Sequence, residues 1–281
     1  MLENKTIAFI GAGSMAESIL GGLLSEKLVK PQQIIVTNKT QYKRLDDLSE
    51  RYNVSTADSK EEAIKKANIV ILAMKPMHVE DGIASIKENV TENHLIISVL
   101  AGISTHYIEE LFGKKTAVVR AMPNTSSKVN ASATALCQGY YASPHHLDTA
   151  SALFAAIGTV TIFDESKMDA VTGISGSGPA YFYYFVEAME TAAKEAGLPE
   201  TEAKELIIQT LSGAAKRLQH TDQSPSALYN EVMSPGGTTE AAFKMLEHHN
   251  VQENFKNSIE EAIKRSKELG SNTRSPISYS Q

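Results

Sequence analysis

The chain has 281 residues, 42% of them hydrophobic and 21% charged, which fits a globular protein with room for two domains and disfavours disorder. No apolar run approaches the roughly 20 residues of a spanning helix, the N-terminus lacks the cleavage pattern of an export signal, and a formal charge of −6 argues against broad phosphate-backbone binding. The expectation is a cytoplasmic protein with no membrane or nucleic-acid partner.

The first apolar run, residues 6–10, leads into Gly11-Ala12-Gly13-Ser14-Met15-Ala16 and then a helical stretch at 15–24. This is G-x-G-x-x-A between a strand and a helix, the setting in which the pattern binds a dinucleotide. Gly11 permits the tight turn, Gly13 lets a pyrophosphate approach the backbone, and Ala16 allows close helix–strand packing. The helix N-terminus then offers free N–H donors to phosphate. A glycine turn with no ligand is the plainer alternative.

The second run, 34–37, ends in Thr37-Asn38-Lys39, with Lys43 and Arg44 close behind. An NAD-specific site usually carries Asp or Glu here. No carboxylate stands at this place to repel a 2′-phosphate, and Thr37, Asn38 and Lys39 offer donors to one, so NADPH is expected over NADH. The competing reading makes Lys39, Lys43 and Arg44 an ordinary solvated face.

Further runs at 69–73, 95–100, 117–121, 133–137 and 159–163 alternate with helical stretches such as 60–66 and 147–157. Continuous apolar runs suit strands covered on both faces, so residues 1–163 are predicted to form a doubly wound α/β sheet. Ligands in such sheets sit beyond the carboxyl ends of the strands. That rule brings Ala73-Met74-Lys75-Pro76 and the pair Ala101-Gly102 into the cofactor site, with Lys75 either a contact or merely solvated. The single cysteine, Cys137, rules out an internal disulfide and lies in a predicted strand, where a buried structural thiol is favoured over a nucleophile.

After Phe163 the strands stop. Helices are expected over 179–196, closed by Gly197 and Pro199, and then over 200–218, 227–233, from about 239, and over 252–269. Residues 164–269 are therefore read as an all-helical domain and 270–281 as a flexible tail. The stretch Ala180-Tyr-Phe-Tyr-Tyr-Phe-Val186 is apolar around its whole circumference, so it needs cover on every side, and a second subunit would supply it. Ser234-Pro235-Gly236-Gly237-Thr238-Thr239 leads into a helix and reads in two ways. It is an anion-binding nest, or a plain turn capped by Thr238 or Thr239. Adjacent histidine pairs lack metal-ligand spacing, so no metal is expected.

Together these segments resemble the pyrroline-5-carboxylate reductase family over essentially the whole chain. The resemblance rests on the glycine loop, Ala73-Met-Lys-Pro76, Ala121-Met-Pro-Asn-Thr125, Ala170-Val-Thr-Gly-Ile-Ser-Gly-Ser-Gly-Pro-Ala-Tyr181 and Ser234-Pro-Gly-Gly-Thr-Thr239. It implies a Rossmann domain, a helical dimerisation domain interlaced with a second subunit, and higher assembly in many members. It also implies hydride transfer to the imine carbon of 1-pyrroline-5-carboxylate, giving L-proline. On that reading Thr239 donates a hydrogen bond to the ring nitrogen, while Ser234, Gly236, Gly237 and Thr238 hold the substrate carboxylate. Glu165 resembles a substrate-side position, with a surface carboxylate as the alternative. The nearest rival, a β-hydroxyacid dehydrogenase, uses a lysine on its first long helix, and residues 181–189 contain none. A non-catalytic NADP-binding sensor is the other alternative.

Overall fold

The computed structural model describes residues 2–39 and 41–272. The last helix, Val251–Asn272, takes in the start of the stretch read as a flexible tail, and the rest of that stretch lies outside the described residues.

Among the described residues eight strands form one sheet: β1 (Ile7–Ile10), β2 (Ile34–Thr37), β3 (Ser55–Thr56), β4 (Ile69–Leu72), β5 (Leu95–Ser98), β6 (Ala117–Met122), β7 (Ser132–Gln138) and β8 (Gly158–Ile162). Their order is β3-β2-β1-β4-β5-β6-β7-β8, which is doubly wound about β1. Neighbours run parallel except β6 and β7. Only the short 3₁₀ stretch Thr125–Val129 links those two, and a parallel return needs a crossover of about a dozen residues or more.

The continuous apolar runs divide residue by residue between two cores. Ile7, Phe9, Ile34, Val36, Ile69 and Ile71 enter one core. Ala8, Ile10, Ile35, Val70, Leu72 and Ile96 enter the other. The first is covered by Ile19, Leu20 and Leu23 of helix Ser14–Ser25, Leu45 and Leu48 of Tyr42–Tyr52, and Leu153 and Phe154 of Pro144–Ala155. The second is covered by Ala63 and Ile64, Val79 and Ile83, and Ile108 and Phe112 from the helices on the opposite face. Strand β3 has no counterpart among the predicted runs. Both of its residues are exposed and polar, so it carries no apolar signal, and its brevity suits an edge.

Residues up to Pro179 and from Ala262 make one compact unit, and Ala180–Glu261 makes a second. Near the end of the first, Met168–Val171 runs into a π-type turn at Thr172–Gly176. The helix Gly178–Glu195 follows, so helical structure begins well before Pro179. The wide turn gives two glycines a packing role. A Cβ on Gly173 would lie 2.5 Å from Ile263, and one on Gly176 would lie 2.6 Å from Met122.

The second unit is helical: most of Gly178–Glu195, then Glu200–Gln219, Pro225–Val232, Thr238–His248 and the first part of Val251–Asn272. Its internal packing includes edge-on stacking of Tyr181 and Phe185 on Phe255, with centroids 5.5 and 5.3 Å apart. That leaves much apolar surface uncovered within one chain: Phe182, Tyr183 and Tyr184 are 56%, 64% and 72% exposed, and Leu206 and Ile208 are exposed as well. Aromatic surface on this scale is normally covered in an assembly. Tyr184→Glu is expected to give monomer that is unstable or aggregated. Sedimentation showing a stable, active monomer at micromolar concentration would contradict this.

Candidate active site

The loops after β1, β4 and β5 leave the carboxyl edges of neighbouring central strands, and contacts tie the first two together. Gly11 has φ +116°, and a Cβ on it would lie 2.6 Å from the carbonyl oxygen of Ala73 and 2.9 Å from the Met74 nitrogen. Only glycine satisfies both the angle and the approach. The Gly11 N–H donates to the Thr37 carbonyl at 3.1 Å, and the Ala73 N–H donates to the Ile10 carbonyl at 3.0 Å. Gly13 occupies the N-cap of helix Ser14–Ser25, and no side chain caps that end. Its first-turn N–H groups, from Ser14, Met15 and Ala16, point past the helix end, as an anion site requires.

The end of β2 differs in part from expectation. Thr37 is buried, and its hydroxyl donates to the Phe9 carbonyl at 3.1 Å, so it is spent inside the sheet and not offered to a 2′-phosphate. Asn38 is half-buried and Lys39 exposed, with its ammonium 3.8 Å from Asp81. Arg44 is no solvated cation. Its Nε donates to the Ala12 carbonyl at 3.1 Å, and Nη2 pairs with Glu17. Glu17 also accepts from Arg51 at 2.5 Å and from the Tyr52 hydroxyl at 3.2 Å. Burial pushes the Glu17 carboxyl up, but Arg44, Tyr52 and Arg51 outweigh it and hold the group below the usual carboxylate range. A carboxylate in the first turn of the Ser14–Ser25 helix thus fastens the Tyr42–Tyr52 helix to the glycine loop.

Lys75 is exposed and precedes the short 3₁₀ stretch Pro76–His78. Beyond β5, Gly102 has φ +76° and faces the end of the last helix. A Cβ on Gly270 would lie 2.4 Å from the Gly102 carbonyl oxygen. Nearby, buried Ser266 donates to Asp169 at 2.7 Å, which seats that helix.

Glu165 accepts from Arg120 Nη1 on one oxygen, and from the Thr105 N–H at 3.1 Å and hydroxyl at 2.8 Å on the other. Glu165 is therefore not the plain surface carboxylate of the alternative reading. The overlooked signal was the arginine inside the apolar run Ala117-Val-Val-Arg-Ala121, since a charge in a buried strand needs a partner. Arg120 is 2% exposed, and its Nε and Nη2 have no protein partner. Cys137 is buried beside Glu165 at 3.6 Å, and burial, then the Glu165 charge, push its thiol up to about 12. It is a structural thiol.

In the helical unit, Gly237 is the N-cap of Thr238–His248, and no side chain caps this helix either. Thr238 and Thr239 are the first helical residues, so the turn is not held by a threonine cap. Gly236 has φ +71° and donates its N–H to Glu240 at 2.5 Å. That donor is already occupied by a carboxylate, whereas the first-turn N–H groups beyond Gly237 are not intrahelical. Thr239 is half-buried and Ser234 exposed.

Burial raises the Glu165 carboxyl, but Arg120 and the two Thr105 bonds prevail and hold it below the usual carboxylate range. A depressed folded-state pKa stabilises the fold above the ordinary carboxylate range, and that contribution is lost as pH falls through the folded value. The gap in thermal midpoint between the unmodified protein and Glu165→Gln should therefore be constant above about pH 5 and narrow as pH falls below the ordinary carboxylate value of about 4. A gap that is constant with pH would rule out the ion pair as its source.

Residues 165–269 match the family described as pyrroline-5-carboxylate reductase dimerisation, and residues 6–102 match NADP oxidoreductase, coenzyme F420-dependent. Pyrroline-5-carboxylate reductase 2 of Bacillus subtilis is 43% identical over 265 residues, 94% of this chain and 95% of that protein. A solved pyrroline-5-carboxylate reductase from Coxiella burnetii superposes with a TM-score of 0.85 at 37% identity, covering 95% of this chain and 98% of that one. The Plasmodium falciparum enzyme with NADP bound gives 0.88 at 26% identity, with the same coverage of both chains. Among the described residues no helix is long and apolar enough to cross a membrane. With two relatives above one-third identity along nearly their whole length, the chain belongs to the pyrroline-5-carboxylate reductase family.

Proposed function

We propose that this chain reduces 1-pyrroline-5-carboxylate to L-proline in the cytoplasm as a homodimer or larger homo-oligomer, using NADPH in preference to NADH. The observation that carries the reading is the pair of glycine-capped helix ends, at Gly13 and Gly237, in a chain of this family. Each leaves first-turn N–H donors for an anion, a pyrophosphate at one and the substrate carboxylate at the other.

The residues of the first unit fit the cofactor. Gly11 and Gly13 keep the turn bare, and Ala12, Ser14, Met15 and Ala16 supply backbone at the helix end. Ala73, Met74, Lys75 and Pro76, with Ala101 and Gly102, line the adjoining strand ends. Asn38 and Lys39 stand where an acid would repel a 2′-phosphate. When bound, the nicotinamide supplies the hydride.

The chain's own part is positioning and proton placement. An iminium carbon is already a good acceptor, so orientation matters more than a strong acid. Ser234 and Thr238 hold the carboxylate through hydroxyl and backbone donors, while Gly236 and Gly237, whose N–H groups already donate to Glu240 and to the Ser234 carbonyl, keep the turn bare. Thr239 donates a hydrogen bond to the ring nitrogen and relays the proton that it needs from water, because a threonine hydroxyl is too weak an acid to be the source.

Two outcomes test this. Asn38→Asp should shift preference towards NADH by about 1–2 kcal/mol in kcat/KM, and equal use of both cofactors by the unmodified enzyme would count against the NADPH reading. Thr239→Ala should lower kcat about 10²-fold, with little change in cofactor affinity, and Thr239→Ser should recover much of the loss. Normal turnover per folded molecule in the alanine variant would remove Thr239 from the chemistry.

A further inference from the structure

The loop that carries Ala101 and Gly102 is short and largely buried, with Ala101 half-buried and Gly102 buried, and is followed at once by the helix Thr105–Phe112. Leu100 and Ile103 root its two ends in the core, and the backbone between and just beyond them is placed further. Two restraints converge on it. On one side the Gly102 carbonyl is in close contact with Gly270 of the last helix. On the other, Thr105 gives both its backbone N–H and its hydroxyl to a single oxygen of Glu165.

The second restraint is anchored deep in the sheet. Glu165 follows β8 in the chain, and its other oxygen takes Arg120 Nη1 from the middle of β6. Arg120 is 2% exposed and Thr105 5%, so neither side chain can drift into solvent. A helix N-terminus normally satisfies its first donors locally, and here Ser104 does so by accepting from the Tyr107 N–H at 3.2 Å. The Thr105 donors are aimed past that cap, at a residue 60 positions away. Capping alone does not account for this.

We infer that Glu165, held by Arg120, is a positioning residue for the nicotinamide cofactor, acting through Thr105 to set the Ala101–Gly102 loop. The inference rests on the proposed contact between that loop and the cofactor. Glu165 touches no reacting atom in this arrangement. Its carboxylate transmits the position of β6 to the loop beyond β5, and its removal loosens the loop while leaving the glycine loop after β1 intact.

The test uses the full-length enzyme and reads NADPH affinity by fluorescence titration beside the KM for the imine, kcat and the thermal midpoint. Thr105→Val keeps the N–H and the shape but loses the hydroxyl. It should raise the Kd for NADPH about three- to ten-fold, the equivalent of one hydrogen bond, with the imine KM little changed. Thr105→Ser should restore the affinity. Glu165→Gln should raise the Kd further, because its amide must turn a donor towards either Arg120 or Thr105. A lower thermal midpoint with an unchanged Kd in both Thr105→Val and Glu165→Gln would overturn the inference and leave the clamp purely structural. A rise confined to the imine KM would also overturn it, placing Glu165 on the substrate. Ala101→Trp separates this failure from failure of the underlying reading. If it abolishes NADPH binding while Thr105→Val has no effect, the loop contact stands and the clamp does not. If Ala101→Trp binds NADPH normally, the loop contact falls and the inference with it.

Discussion

Strand β1 sends Ile7 and Phe9 into one core and Ala8 and Ile10 into the other, and it lies between β2 and β4 with a parallel partner on each side. A slip of one residue would exchange its two faces, putting large side chains where small ones fit. Its carboxyl end therefore has one place to stop, at Gly11. The site inherits its geometry from that stop. Gly11 lies against the Ala73–Met74 peptide, the Ser14–Ser25 helix starts from Gly13, and Glu17 on that helix gathers Arg44, Arg51 and Tyr52 behind the loop.

The helical unit is constrained differently. Few of its side chains are buried within the chain, among them Ala203, Ile207 and Leu228, while aromatic residues of Gly178–Glu195 stand exposed. Its stability is thus tied to assembly, and subunit concentration belongs in any statement about how stable the protein is. The sheet unit buries two cores of its own, though Ile162, Phe163 and Ile174 remain exposed near its end.

How much of this was legible follows from what each feature writes into the chain. Strands with both faces buried announce themselves as runs such as Ile69-Val-Ile-Leu72, and helix 60–66 shows itself by the Ser59 cap and acidic first turn. Strand β3 is polar and exposed and left no mark. The glycine loop was legible because its φ of +116° at Gly11 and its close approach to Ala73 demand particular residues at particular spacing. The fate of Thr37 was not, since a hydroxyl that bonds across a sheet looks the same in sequence as one offered to a ligand. Glu17 with Arg44, and Glu165 with Arg120 and Thr105, join residues distant in the chain, and single-sequence patterns hold no record of which charges meet. The π-type turn at Thr172–Gly176 was likewise hidden, because Gly173 and Gly176 owe their places to Ile263 and Met122 elsewhere in the fold.

Cys137 carries a consequence for handling and for measurement. Its thiol is the chain's one sulfhydryl, is 2% exposed and is pushed up to about 12. Disulfide exchange and alkylation proceed through the thiolate, which at neutral pH is then about one part in 10⁵ of an already enclosed group. The folded protein is accordingly slow to react with thiol reagents, and subunits do not become cross-linked through disulfides without first opening. Once β7 separates from its neighbours, the same sulfur returns to ordinary reactivity. The rate at which a thiol reagent labels the chain is then a clock for opening of the sheet, built in by a residue that takes no part in the reaction.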